Sequence, residues 1–210
     1  MKLTLLLPFL PLALSSPISL QRRATAYSTG STASDITSGR CAALSVIYAR
    51  GTGEGGNIGF VAGPPLFKAL KSKLGGEVNL QGVTYPASSA GNANQGGDGG
   101  PAMRDLANRA LSQCPGTKVV LVGYSQGAMV VHNAVQRQGF AAAQVAAAVL
   151  FGDPLIKQSV GAVPAAKVKQ FCAPADSICG NRGSGAGHTS YGSNANEAAD
   201  FIIRTAGATA

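Results

Sequence analysis

The sequence predicts an α/β fold, a three-layer sandwich built on a mostly parallel sheet. Three observations point there. Apolar runs without polar alternation recur at 43–49 (ALSVIYA), 118–123 (KVVLVG) and 145–151 (VAAAVLF), as in strands buried on both faces. Segments of helical spacing separate these runs. The first and third runs stop at turn-forming groups, Arg50-Gly51 and Gly152-Asp153-Pro154.

In chain order, residues 1–15 read as a secretory signal peptide. Met1-Lys2 gives a basic start, Leu3–Leu14 a short apolar stretch, and Ala13-Leu14-Ser15 a small-x-small cleavage site. Gln21-Arg22-Arg23 reads as the end of a short propeptide over 16–23. Residues 24–40 are rich in Ser, Thr and Gly and predict a flexible arm. A single domain over 41–210 follows. It starts with the 43–49 strand and a helix within 60–74 that opens near Pro64-Pro65, since proline suits a first turn. Glu77–Val83 is a second strand and Tyr85–Gly99 a loop. Gly100–Gln113 is a helix with Met103, Leu106, Ala107, Ala110 and Leu111 at helical spacing. After the strand at 118–123 come a helix over Gln126–Gln138, the strand at 145–151 and a short strand at Val168–Cys172. A Gly-rich loop spans Ala173–Gly192, and a helix over Asn194–Thr205 closes the domain.

The 210 residues carry a net charge of +8. Without residues 1–23, which hold Lys2, Arg22, Arg23 and no acid, 14 basic and 9 acidic residues leave +5. The basic residues are scattered, with no basic run interleaved with aromatics, so nucleic acid is not the expected partner. No later apolar run is long enough to span a membrane. Four cysteines behind a secretion signal predict two disulfides. Three pairings exist on paper; proximity favours Cys172–Cys179, which leaves Cys41–Cys114. With no Cys-x-x-Cys and only His132 and His188 as histidines, a zinc site is not expected.

The chemistry centres on Gly123-Tyr124-Ser125-Gln126-Gly127, at a strand-to-helix junction. Such a nucleophile elbow needs small flanking residues because strand and helix backbones approach closely. It lifts the serine hydroxyl above the sheet, and the helix start offers N–H groups to a developing oxyanion. A catalytic serine needs a base. His132 lies seven residues along the same helix, roughly 10 Å up its axis, out of reach. That leaves His188, in a Gly-rich loop. The acid that orients the imidazole is expected between serine and histidine in this chain order, and Asp153 and Asp176 both qualify. Asp176 is preferred because a Cys172–Cys179 bridge would fix its loop; Asp153 reads as a turn residue before Pro154.

These features, with Val46–Thr52 (VIYARGT) and His188-x-x-Tyr191-Gly192, resemble the fungal cutinase and acetylxylan esterase family of small lidless α/β hydrolases from Cys41 to the last helix. The resemblance implies a five-stranded parallel sheet, the two disulfides above and a monomer; the signal peptide predicts a secreted, extracellular protein. It implies Ser125 as nucleophile, Asp176 as acid and His188 as base. It also implies an oxyanion hole from the Gln126 amide and from Thr52, where the family often has serine. No metal or organic cofactor is implied. The expected substrates are plant cutin, a polyester, and short-chain esters. An acetylxylan esterase acting on esterified polysaccharide is the alternative, because the stretch 180–187 (GNRGSGAG) is polar and flexible where cutinases often carry apolar residues. A non-catalytic secreted binder or elicitor would fit the size and disulfides but leaves the order Ser, Asp, His unexplained.

Overall fold

Five apolar segments form one parallel sheet in the computed structural model, which describes residues 30–209. The strands are β1 (Leu44–Ala49), β2 (Val78–Gly82), β3 (Lys118–Tyr124), β4 (Val145–Phe151) and β5 (Val168–Phe171), in the order β2-β1-β3-β4-β5. Four helices of 11 to 14 residues connect or close them: α1 (Gly63–Lys73), α2 (Gly100–Gln113), α3 (Gln126–Gln136) and α4 (Ala195–Ala206). The expected signal peptide, propeptide and residues 24–29 lie outside the described residues.

The unbroken apolar strands are explained by helices on both faces. Alternate residues of β1 serve the two cores. Leu44, Val46 and Tyr48 pack with Leu66, Phe67, Leu70 and Ile202, the α1 and α4 side. Ile47 and Ala49 pack with Met103, Ala107, Val130 and Val131, the α2 and α3 side. The strand order reverses between β1 and β3, and such a switch point opens a crevice beyond the carboxyl ends of the strands. The segments after β1 and β3, which carry Thr52 and Ser125, meet there.

Two expectations need correction. Residues 30–40 are not a loose arm. Ser34 bridges Gln81 on the edge strand β2, Asp35 Oδ2 accepts the Leu80 amide at 2.9 Å, and the Asn57 side chain brackets Ala33 through both its N–H and C=O. Ile36 is completely buried. Two apolar residues in a Ser/Thr-rich stretch, Ala33 and Ile36, anchor the segment, which covers an otherwise open sheet edge. Helix α3 stops two residues before Gln138 because Gly139 turns left-handed at φ +75° and the Gln138 amide folds back to the Asn133 carbonyl. The sulfurs of Cys41 and Cys114, and of Cys172 and Cys179, are bonded.

Candidate active site

Ser125 sits in the elbow with φ 56° and ψ −119°, a conformation that costs a non-glycine residue about 1–3 kcal/mol. The surroundings hold it there. Its amide donates to the Phe151 carbonyl on β4 at 2.9 Å, and its carbonyl accepts the Ala128 amide at 2.9 Å. Both flanking glycines are required by space. A Cβ on Gly123 would lie 2.2 Å from the Gly127 carbonyl oxygen, and one on Gly127 would lie 2.0 Å from the Ala49 carbonyl oxygen.

His188 Nε2 stands 2.9 Å from Ser125 Oγ, and its Nδ1 stands 2.8 Å from Asp176 Oδ2. The Asp176 side chain is fully buried, whereas that of His188 is 19% exposed. Every group facing the carboxylate is a donor: the Ile178 amide to Oδ1 at 2.9 Å, and His188 Nδ1–H and the Tyr191 hydroxyl to Oδ2. Burial pushes the Asp176 carboxyl up, but the hydrogen bonds from Tyr191, His188 and Ile178 outweigh it and hold the group below its ordinary value of 3.8. An ionised carboxylate fixes the proton on Nδ1 and leaves the Nε2 lone pair facing the serine hydroxyl. Tyr124 donates its hydroxyl to the His188 carbonyl at 2.9 Å, and the rings of Tyr124 and Tyr191 flank the imidazole.

The structure thus brings Ser125, His188 and Asp176 together. It does not bring His132 or Asp153 to the serine. They pair with each other, His132 Nε2 to Asp153 Oδ2 at 2.9 Å, both buried. Asp153 is therefore more than a turn residue.

Thr52 and Gln126 meet across the crevice. Gln126 opens α3, so its amide has no preceding helical turn to receive its hydrogen. Among the described residues the Thr52 amide has no acceptor. The Thr52 hydroxyl donates to Asn92 Oδ1 at 3.2 Å and accepts from Gln126 Nε2 at 3.1 Å. Gln126 Nε2 also reaches Asn92 Oδ1 at 2.7 Å and the Ser88 carbonyl at 2.8 Å. Behind Thr52, the Glu54 carboxylate accepts the amides of Gly51, Phe60 and Val61. Both the Thr52 and the Gln126 segments are thereby fixed by side chains. Asn92 and Glu54 escape sequence reasoning, and Tyr191 is found there only as part of the His188-x-x-Tyr191-Gly192 motif without its role, because these roles depend on contacts between separate segments.

The 180–187 stretch folds back on the acid-bearing loop. Its glycines permit this: a Cβ on Gly183 would lie 2.4 Å from Ala175 Cα, and one on Gly187 would lie 2.2 Å from the Pro174 carbonyl oxygen. The Gly185 amide donates to Ala175, and Asn181 donates to the carbonyls of Cys172 and Ala173. What composition suggests is a flexible loop is a brace for Asp176. Beside it Ile178 is 46% exposed. Among the described residues no three His, Cys, Asp or Glu side chains converge as metal ligands, and no helix is long and apolar enough to cross a membrane.

Residues 40–206 match the family model described as Cutinase. The chain is 49% identical over 178 residues to "Cutinase 4" of Emericella nidulans, covering 84% of this chain and 78% of that protein. A Trichoderma reesei cutinase solved with a phosphonate inhibitor superposes with a TM-score of 0.75 at 37% identity, covering 84% of this chain and 80% of that one. An acetyl xylan esterase superposes with a TM-score of 0.63 at 28% identity, covering 79% of this chain and 99% of that one.

Proposed function

The chain belongs to the cutinase family of carboxylic ester hydrolases, and from that premise we propose that it is a secreted serine esterase that cleaves plant cutin and short-chain esters through an acyl-enzyme. The observation that carries this reading is the continuous relay Ser125 Oγ–His188 Nε2 at 2.9 Å and His188 Nδ1–Asp176 Oδ2 at 2.8 Å. In the first half-reaction Ser125 Oγ attacks the ester carbonyl as its proton passes to Nε2. Asp176 stabilises the imidazolium, and the amides of Thr52 and Gln126 receive the oxyanion. The intermediate collapses as His188 returns the proton to the departing alcohol. Water then attacks the acyl-enzyme, His188 again taking and returning the proton, and the acid leaves. The Asn92–Gln126–Thr52 contacts support the oxyanion assignment. Two disulfides and the apolar N-terminal stretch support secretion.

An organophosphonate should modify the protein at Ser125 and fail to modify Ser125→Ala; a folded protein that never labels would favour a non-catalytic binder. Similarity to proteins named cutinase favours the cutin reading over acetylated xylan. Faster turnover of butyrate esters than of acetylated xylan is the expected result, and acetyl-only activity would overturn the cutin assignment.

Tyr191 offers a second test. Tyr191→Phe removes a donor from a buried carboxylate and should cost about 2 kcal/mol at neutral pH. The sign with pH follows from the lowered Asp176 value. The ionised form favours the folded state above 3.8, and that contribution disappears as pH falls through the lower folded value. Urea unfolding should show the gap between parent and variant at pH about 7 and its narrowing below pH about 4. A gap independent of pH would mean the phenol does not stabilise the carboxylate.

A further inference from the structure

The second histidine and the second aspartate of the crevice region form a pair that the mechanism above does not use. Asp153 is completely enclosed, and its carboxylate accepts from three directions: His132 Nε2 at 2.9 Å, Gln170 Nε2 at 3.0 Å and the Leu155 amide at 2.8 Å. With Nε2–H directed at the carboxylate, the buried Nδ1 of His132, which has no partner among the described residues, is left as a lone pair. That costs less than stranding an N–H.

Stability alone does not account for a carboxylate there, since well-packed apolar residues of similar volume often serve as well or better. Its partners show what it joins. His132 lies on α3, the helix that begins at Ser125. Gln170 lies on β5, which runs on into the loop carrying Asp176. Asp153 itself follows Gly152, whose backbone backs the His188 ring so closely that a Cβ there would lie 2.8 Å from Cε1 and 2.9 Å from Nδ1. The Gly152 amide is tied to the Phe171 carbonyl on β5 at 2.8 Å, and the preceding Phe151 carbonyl holds the Ser125 amide.

We infer that His132 and Asp153 are positioning residues: they lock the turn after β4 between α3 and β5, so that Gly152 forms a fixed wall behind His188 and the Ser125–His188 distance is set before substrate arrives. The inference rests on the roles proposed above for Ser125, Asp176 and His188. Neither His132 nor Asp153 touches the reacting atoms, so their loss should slow the chemical step and spare substrate binding.

The test compares parent, His132→Leu and His132→Gln on a soluble butyrate ester, with phosphonate labelling of Ser125 as a second readout. His132→Leu should lower kcat and the labelling rate about tenfold in parallel, with KM within about twofold. His132→Gln keeps a donor facing Asp153 and should recover most of the loss. Because His132→Leu strands a buried carboxylate, the double variant His132→Leu/Asp153→Asn carries the same expectation with less destabilisation should the single variant not fold. A folded leucine variant, single or double, with parent-like kcat and labelling rate would overturn the proposal whatever its melting temperature. Failure of the parent itself to label would bring down the assignment of Ser125, and this proposal with it.

Discussion

Asp176→Asn is expected to lower kcat by about four orders of magnitude while the chain still folds. The substitution keeps the size of the side chain and removes what its surroundings require. His188 Nδ1–H, the Tyr191 hydroxyl and the Ile178 amide all donate to the carboxylate. An asparagine can turn only one oxygen to them, so its NH2 group must face a donor in either orientation. If that NH2 faces Nδ1, it forces the imidazole proton onto Nε2, where it blocks acceptance of the serine proton. If it faces Ile178, the tautomer survives but the negative charge that stabilises the imidazolium is gone. A factor of ten thousand corresponds to about 5.4 kcal/mol of lost transition-state stabilisation. The check is kcat on a soluble butyrate ester, with circular dichroism to establish the fold. A loss under about tenfold would remove Asp176 from the proposed mechanism, since that is far below what losing a tautomer-fixing acid costs.

Much of this is legible in the chain because the constraints are local. The strand at 145–151 is a continuous apolar run with a glycine at its exit, and strand β4 spans Val145–Phe151. Helix α2 coincides with the helical spacing over Gly100–Gln113. The elbow is legible because the backbones approach so closely that a Cβ at position 123 or 127 would lie 2.2 or 2.0 Å from a carbonyl oxygen. His188 emerges because only two histidines compete and one lies on the elbow helix. The choice between Asp153 and Asp176 is harder, since each follows a strand. What separates them is which histidine each faces, and that depends on how β4 and β5 stack beside α3. Ile36 is invisible for a related reason: a lone apolar residue has no period, and only the core on the α2 side, with Val83, Met103 and Ala107, gives it a place to be buried. Asn92 sits in a short 3-10 turn, Ser89–Asn94, inside a stretch whose composition reads only as loop. Its value lies in meeting Thr52 and Gln126, 40 and 34 residues away in sequence.

Gly152→Ala should then lower kcat about a hundredfold through one added methyl group. Gly152 has φ +55°, where an alanine is disfavoured by about 1–2 kcal/mol. The larger effect is spatial. The new carbon would meet His188 Cε1 at 2.8 Å, Nδ1 at 2.9 Å and Tyr191 Cε2 at 2.9 Å, well inside the 3.5–4.0 Å at which carbon atoms pack comfortably. The wall cannot retreat, because the Gly152 amide is bonded to Phe171 and Asp153 is locked by His132, Gln170 and Leu155. The ring must yield, and the directions open to it loosen either the 2.8 Å contact with Asp176 or the 2.9 Å contact with Ser125. Displacement by a fraction of an ångström is enough, since proton transfer requires heavy atoms within about 2.6–3.2 Å. The variant should therefore bind a soluble ester with nearly unchanged KM, label slowly with phosphonate, and lose about 2–3 kcal/mol of stability from backbone strain and crowding together. Parent-like kcat in folded Gly152→Ala would show that His188 tolerates a displaced wall, and would remove the physical basis for any effect of His132 and Asp153 on the reaction.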